Sequence, residues 1–117
     1  MLPAAFRMTD GQDFRSVIRR GRRAARGCLV VHLLAGTGTS TRAGFIVSKA
    51  VGNSVVRHRT VRRLRHLVLR RLDHWPIGGS IVIRALPSAG NATSAELGVD
   101  LDAAMRRLLT RTDRRFE

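Results

Sequence analysis

Apolar positions along the chain recur with two periods, and the switches between them divide it into helical and extended segments. Met8, Phe14, Val17 and Ile18 fall at helical spacing, Thr9 or Asp10 can cap, and Gly21 supplies a stop, which predicts a first helix to about Arg20. Leu29 to Leu34 is a short run rich in β-formers and Arg42 to Ser48 a second; with the polar Gly36–Thr41 stretch between them as a loop, the two read as a hairpin. The Arg22–Arg26 stretch ahead of it can add an edge strand, where charged side chains discourage stray pairing.

Gly52-Asn53-Ser54 then turns the chain, with Ser54 as the expected cap, and helical periodicity runs to about Leu72, ahead of a break at Trp75-Pro76-Ile77-Gly78-Gly79. On a wheel of 3.6 residues per turn, Val56, Thr60, Val61, Leu64, Leu67, Val68 and Leu72 share one side. His58, Arg59, Arg62, Arg63, Arg65, His66 and Arg70 share the other. Ser80 to Arg84 reads as a buried strand, Pro87–Asn91 as a loop, and Ser94 to Leu109 as a final helix with Leu97, Leu101, Ala104, Met105 and Leu108 as its apolar stripe. Residues past Thr110 read as a polar tail. The predicted order α-β-β-β-α-β-α suits an α+β sandwich with helices packed on one mixed sheet. At 117 residues and 44% apolar content, a single domain over 1–117 is expected, with room for one core.

Charge is unevenly distributed along the chain. The chain carries 22 basic and 8 acidic residues, a net +14. Fifteen of those basic residues lie between Phe14 and Leu72, a stretch without a single aspartate or glutamate, and the remainder sums to −1. A positive field confined to half of a small protein resists compaction by self-repulsion, and it is the footprint expected for a polyphosphate partner. Solvated arginine faces usually alternate in sign to gain support one turn apart, and the helix after Ser54 has no acid at all. Lys49, Gly52 and Asn53 lie just ahead of it, where backbone N–H groups at a helix N-terminus can meet a phosphate. That only Lys49 among the basic residues is lysine is read as codon bias.

Other chemistry finds little support. Cys28, the single cysteine, sits in the apolar run Cys28-Leu29-Val30-Val31 and reads as a small buried hydrophobe in a reducing cytosol. No signal-like stretch opens the sequence and no window approaches a membrane span, so a soluble, cytoplasmic protein with no membrane partner is expected. His32, His58, His66 and His74 lack the convergent spacing of a metal site. Asp100 and Asp102 read as charges favouring the start of the last helix. No paired carboxylates, Ser-His-Asp arrangement or phosphate-cradling GxxxxGK[ST] occurs, which argues against a protein nuclease. A membrane-surface helix would carry bulky aromatics, whereas Val56, Leu64 and Val68 suit a core. A small ribosomal or general RNA-binding protein without a processing role accounts for charge and size equally well.

The loop-helix decides between them by resemblance. Val51-Gly52-Asn53-Ser54-Val55-Val56-Arg57-His58-Arg59-Thr60-Val61-Arg62-Arg63-Leu64-Arg65 resembles the signature of the protein subunit of bacterial ribonuclease P. Phe14 with Gly21, the Gly44–Lys49 strand-to-loop and the Ile81-Val82-Ile83-Arg84 strand extend the likeness over nearly the whole chain. The resemblance implies a ribosomal-protein-like fold with a left-handed β-α-β crossover around the arginine helix. It also implies a protein, monomeric within the ribonucleoprotein, that binds a catalytic RNA; together they remove the 5′ leader from precursor tRNA. The RNA and its Mg2+ would do the chemistry, with no cofactor bound by the protein. Lys49, Asn53, Arg57, His58, Arg59, Arg62, Arg63 and Arg65 are thereby expected to bind RNA, and Phe14, Ile18, His32 and Lys49 to line a leader cleft. The chain departs from the family at His58, where asparagine is usual, at Ala50 and Val61, where lysine is common, and at Ile18 and His32, where aromatic rings are common.

Overall fold

The computed structural model describes residues 6–8, 10–36, 41–75 and 78–116, with side-chain surroundings up to Leu109. Helix α1 (Gly11–Arg20) starts at Asp10, whose carboxylate accepts from Gln12 N at 2.8 Å, and ends at Gly21, whose N–H bonds Val17 O. Thr9, the other candidate cap, lies outside the described residues. Strands β1 (Arg22–Arg26) and β2 (Leu29–Leu34) follow as an antiparallel pair. The turn between them uses Gly27 at φ 53°, a left-handed conformation that glycine adopts without steric cost.

The hairpin expected between Leu29–Leu34 and Arg42–Ser48 does not form. Strand β3 (Arg42–Ile46) is separated from β2 by β4 (Ser80–Ala85), in the sheet order β1-β2-β4-β3. The reason is burial: Ile81, Val82 and Ile83 are wholly inaccessible, and a strand apolar on both faces is stable only at the centre of a covered sheet. β4 pairs antiparallel with β2 and parallel with β3, and the parallel pair is joined through helix α2 (Ser54–Leu69) as a β-α-β unit. β1 takes the edge, as its arginines suggest.

Helix α2 is capped by Asn53 rather than Ser54, Asn53 Oδ1 accepting from Val56 N at 3.0 Å. It stops at Leu69, short of Leu72, and a 3-10 turn over Leu72–His74 follows. Pro76 and Ile77 of the predicted break lie outside the described residues, as do residues 37–40 of the loop after β2. A second 3-10 turn spans Pro87–Asn91, where a plain loop is predicted. Helix α3 (Ser94–Phe116) runs on through the stretch predicted as a tail. Its start is a capping box: Thr93 Oγ1 accepts from Glu96 N and Glu96 Oε1 from Thr93 N.

Asp100 and Asp102 therefore do not serve as helix-start charges. Asp100 accepts from Cys28 N at 3.1 Å and from Cys28 Sγ at 3.2 Å, tying the β1–β2 turn to α3. Asp102 forms a two-pronged pair with Arg71, at 2.6 Å from Nε and 3.1 Å from Nη2, tying α3 to the end of α2. A long helix with its own cap leaves these acids free to bond across the fold.

Helices cover both faces of the sheet. On one, Leu29, Val31, Leu33, Ile81 and Ile83 meet Leu64, Leu67 and Val68 of α2 and Leu97, Leu101, Met105 and Leu108 of α3. On the other, Val17 of α1 packs with Met8 and Val82, flanked by Phe14, Leu34 and Ile46. Burying a Leu, Ile or Val contributes about 1.5–3 kcal/mol, so the first layer dominates stability and the second, thinner one positions α1.

Candidate nucleic-acid interface

Two surfaces carry the basic residues. The first is the outer side of α2. Thr60, Leu64, Leu67 and Val68 hold the helix to the core, and buried Thr60 satisfies its hydroxyl on Val56 O at 2.9 Å. A turn away the cationic residues divide into two sets. Arg59 donates to Gly90 O at 3.2 Å, within the 87–91 turn, and Arg63 to Ala92 O at 2.7 Å, just after it, and both are half-buried. His58, Arg62, His66 and Arg70 are exposed, with Arg57 and Arg65 half-buried between the sets. An open groove of about 860 Å³ runs along this side, lined by His58, Val61, Arg62, Arg63, Arg65, His66 and Ser94. The Nε atoms of Arg57, Arg59 and Arg65 are buried and lack partners among the described residues.

Lys49 is exposed in a turn just before α2, closed by Val51 N on Ser48 O at 3.1 Å and by Ala50 N on Ser48 Oγ at 3.3 Å. Buried Val51 anchors that turn, its carbonyl filling the space at Gly90 where a side chain would stand. Asn53 spends its side chain on the helix cap.

The second surface is the sheet face that α1 covers only in part. Side chains alternate along a strand, so the register places Arg23, His32, Val82 and Gly44 in one row on that face and Ala25, Val30, Arg84 and Ile46 in the next. α1 lies over the first row: Phe14 occupies the space above Gly44, and Val17 meets Val82. The second row stays open, with Ala25 and Arg84 exposed and Val30 and Ile46 half-buried. Ile18, one turn beyond Phe14, is 42% exposed along the edge. The result is a cleft with an apolar floor and cationic sides, and Phe14, Ile18 and His32 border it while Lys49 lies past the end of β3.

His32 is only 6% exposed. Its pKa is lowered from the usual imidazole value, first by burial and then by the charges of Arg23 and Arg84, so the ring is neutral at neutral pH. Its Nδ1 is buried with no hydrogen-bond partner among the described residues.

Arg23 and Arg84 were not singled out by the sequence. The available signal for Arg84 is a lone arginine inside an otherwise apolar strand, and for Arg23 the alternation of β1, which sets Ala24 inward and Arg23 outward.

The described carboxylates are spread over the fold: Asp10 and Glu96 cap helices, Asp13 lies 3.9 Å from Arg42, Asp73 is exposed on the 3-10 turn after α2, Asp100 bonds Cys28 and Asp102 bonds Arg71. No cluster of three or more metal-ligating side chains occurs among the described residues, and no helix among them is long and apolar enough to cross a membrane.

A basic α+β fold with an acid-free helix inside a β-α-β unit and a cationic cleft across the sheet defines a small RNA-binding protein. The ribonuclease P family model matches residues 2–109, and the chain belongs to that family, the protein subunits of ribonuclease P. It is 52% identical to the ribonuclease P protein component of Streptomyces bikiniensis, with 93% of this chain and 96% of that one covered. The Corynebacterium diphtheriae component is 43% identical, with 92% and 97% covered. Among solved structures, the Staphylococcus aureus ribonuclease P protein superposes with a TM-score of 0.77 at 23% identity, covering 86% of this chain and 93% of that one. The Thermotoga maritima protein gives 0.74 at 19%, covering 87% and 94%. Membership carries partnership with the ribonuclease P RNA and sets aside the reading as a ribosomal or general RNA-binding protein.

Proposed function

We propose that this chain acts as a cytoplasmic, monomeric, non-catalytic subunit that docks on the catalytic RNA through α2 and holds the 5′ leader of precursor tRNA in the α1–sheet cleft. The observation that carries the reading is the separation of two cationic surfaces by one core, which lets the protein touch two RNAs at once. In the first, Arg62 and His58 reach phosphates directly, Arg57 and Arg65 support them, and Arg59 and Arg63 fix the helix to the carbonyls of Gly90 and Ala92 while keeping their charge at the surface. Lys49 at the head of α2 adds charge between the two surfaces, and Asn53 contributes by setting the helix start.

In the cleft, Phe14 offers the stacking surface, Ile18 an apolar edge, and Arg23 and Arg84 the charge for a single-stranded backbone. Stacking of a base on an aromatic ring contributes ~1–3 kcal/mol, so with Ile18 and His32 in place of rings the cleft relies more on charge and on Phe14. Hydrolysis of the phosphodiester is assigned to the RNA and its Mg2+, and this chain is given the supporting role that its two cationic surfaces suit. The protein's contribution is positive potential and leader placement.

Crosslinking tests the division of labour. In the reconstituted holoenzyme, 4-thiouridine in the leader should crosslink to peptides spanning 14–18 and 30–34, and thiouridine in the catalytic RNA to peptides spanning 54–66. Leader crosslinks confined to α2 would refute the assignment.

A further inference from the structure

Across the cleft, one side chain is out of keeping with its setting. His32 is 94% buried on the sheet face, Arg23 stands directly opposite it on β1, and Arg84 lies diagonally across on β4. Directly opposed side chains start ~4.5–5.5 Å apart at Cβ and diagonal ones ~7–8 Å, so both guanidiniums act on the ring. Both arginines are exposed, and Nδ1 of the ring has no partner among the described residues. A buried imidazole with an unmet nitrogen between two exposed cations is poorly satisfied by the protein alone. An anion held by the two guanidiniums need not reach the buried nitrogen; it acts by cancelling their positive field on the ring.

We propose that Arg23, His32 and Arg84 form a proton-linked phosphodiester site, in which binding of a single-stranded RNA phosphate at the two arginines is accompanied by proton uptake on His32. The proposal rests on the leader-cleft reading above and adds its regulation by pH. Without RNA, burial and the two positive charges keep the ring neutral. A phosphate between the arginines cancels their repulsion and favours imidazolium, so the affinity of His32 for a proton rises in the complex. Linkage then requires leader affinity to be highest at low pH and to fall as pH rises through the His32 midpoint of the complex. One linked proton sets a limit of about tenfold per pH unit.

The surroundings do not supply a competing titration. From α1, the sheet-facing Phe14 and Val17 are uncharged, Asp13 is near Arg42, and Arg15, Arg19 and Arg20 are exposed. From β1 and β4 the charged residues on this face are Arg23 and Arg84. His58 and His66 belong to α2, on the far side of the sheet.

Histidine resonances of the full-length protein, followed by NMR against pH with and without a five-nucleotide single-stranded RNA, test this directly. The RNA is expected to shift Phe14 and His32 signals and to raise the His32 midpoint by at least half a pH unit. In the holoenzyme, the affinity for precursor tRNA relative to mature tRNA should then rise as pH falls through the His32 midpoint measured with RNA, and His32→Gln should flatten that rise. Cleft signals that move while the His32 midpoint stays put would overturn the proton linkage and leave the leader cleft standing. Cleft signals that do not respond to RNA at all would overturn both.

Discussion

The ring of Phe14 fills the space that a side chain on Gly44 would occupy, so the first helix is seated against β3 by a residue with no side chain. Phe14 is thus half-buried packing and half cleft wall. Phe14→Leu keeps most of the volume and should cost under ~1.5 kcal/mol in chemical denaturation. In the holoenzyme it should weaken binding of precursor tRNA while leaving mature tRNA binding unchanged; equal loss for both would assign Phe14 to packing alone.

Gly44→Ala approaches the same pairing from the other side. The added methyl meets the ring, and overpacking of this kind costs ~1–3 kcal/mol. The variant should lose leader discrimination as Phe14→Leu does, although no atom of residue 44 need touch RNA. A variant with native discrimination and lowered stability would show that the position of the ring is not what the leader reads.

Arg62→Ala with Arg65→Ala removes two charges from the α2 groove without touching the bonds of Arg59 to Gly90 O and Arg63 to Ala92 O. Affinity for the catalytic RNA should fall, and the slope of log affinity against log salt should flatten by up to ~0.9 for each phosphate no longer neutralised. An unchanged slope with unchanged affinity would take α2 out of the interface.

The Arg71–Asp102 pair should register in stability rather than in RNA binding. The hydrogen bond from Arg71 holds the Asp102 carboxyl below its usual pKa, so the pair stabilises the fold above the ordinary carboxylate range and loses that contribution as pH falls through the lowered value. Asp102 is 47% exposed, and screening limits the pair to ~0.2–1 kcal/mol. Asp102→Asn should therefore lower the denaturation midpoint at pH 7 and converge with the parent in strong acid. A difference that grows on acidification would contradict the pairing.

These particulars also show what could be read from residues in order. The packing residues Thr60, Leu64, Leu67 and Val68 of α2, the limits of β2 and the stop at Gly21 were legible because each follows from local spacing or a single turn residue. Val61, expected on the packing side, instead lines the cationic groove at the border between the two faces. The sheet order was not, because the insertion of β4 between β2 and β3 is decided by which strand is apolar on both faces, a comparison across distant segments. The same holds for Asp100 and Asp102, whose partners Cys28 and Arg71 are 72 and 31 residues away in the chain. On the arginine helix the sequence could mark which residues face outward. It had no signal that Arg59 and Arg63 would grip the backbone carbonyls of Gly90 and Ala92 while Arg62 stays open. The cleft was legible at Phe14 and His32 only through resemblance, and the neighbouring arginines emerge once strand register aligns them.

In the proposed role this protein lends positive potential and leader placement to a reaction whose chemistry belongs to RNA. Repulsion between two RNAs is relieved either by Mg2+ or by the protein's charge, and that charge is screened over ~10 Å at 0.1 M salt. Cleavage of precursor tRNA by the ribonuclease P RNA of the same organism, measured across a Mg2+ series with and without the protein, tests this most directly. RNA-free protein should cleave nothing, and its stimulation of the RNA should be largest at low Mg2+ and shrink as Mg2+ rises. Cleavage by the protein alone, or a stimulation indifferent to Mg2+, would contradict it.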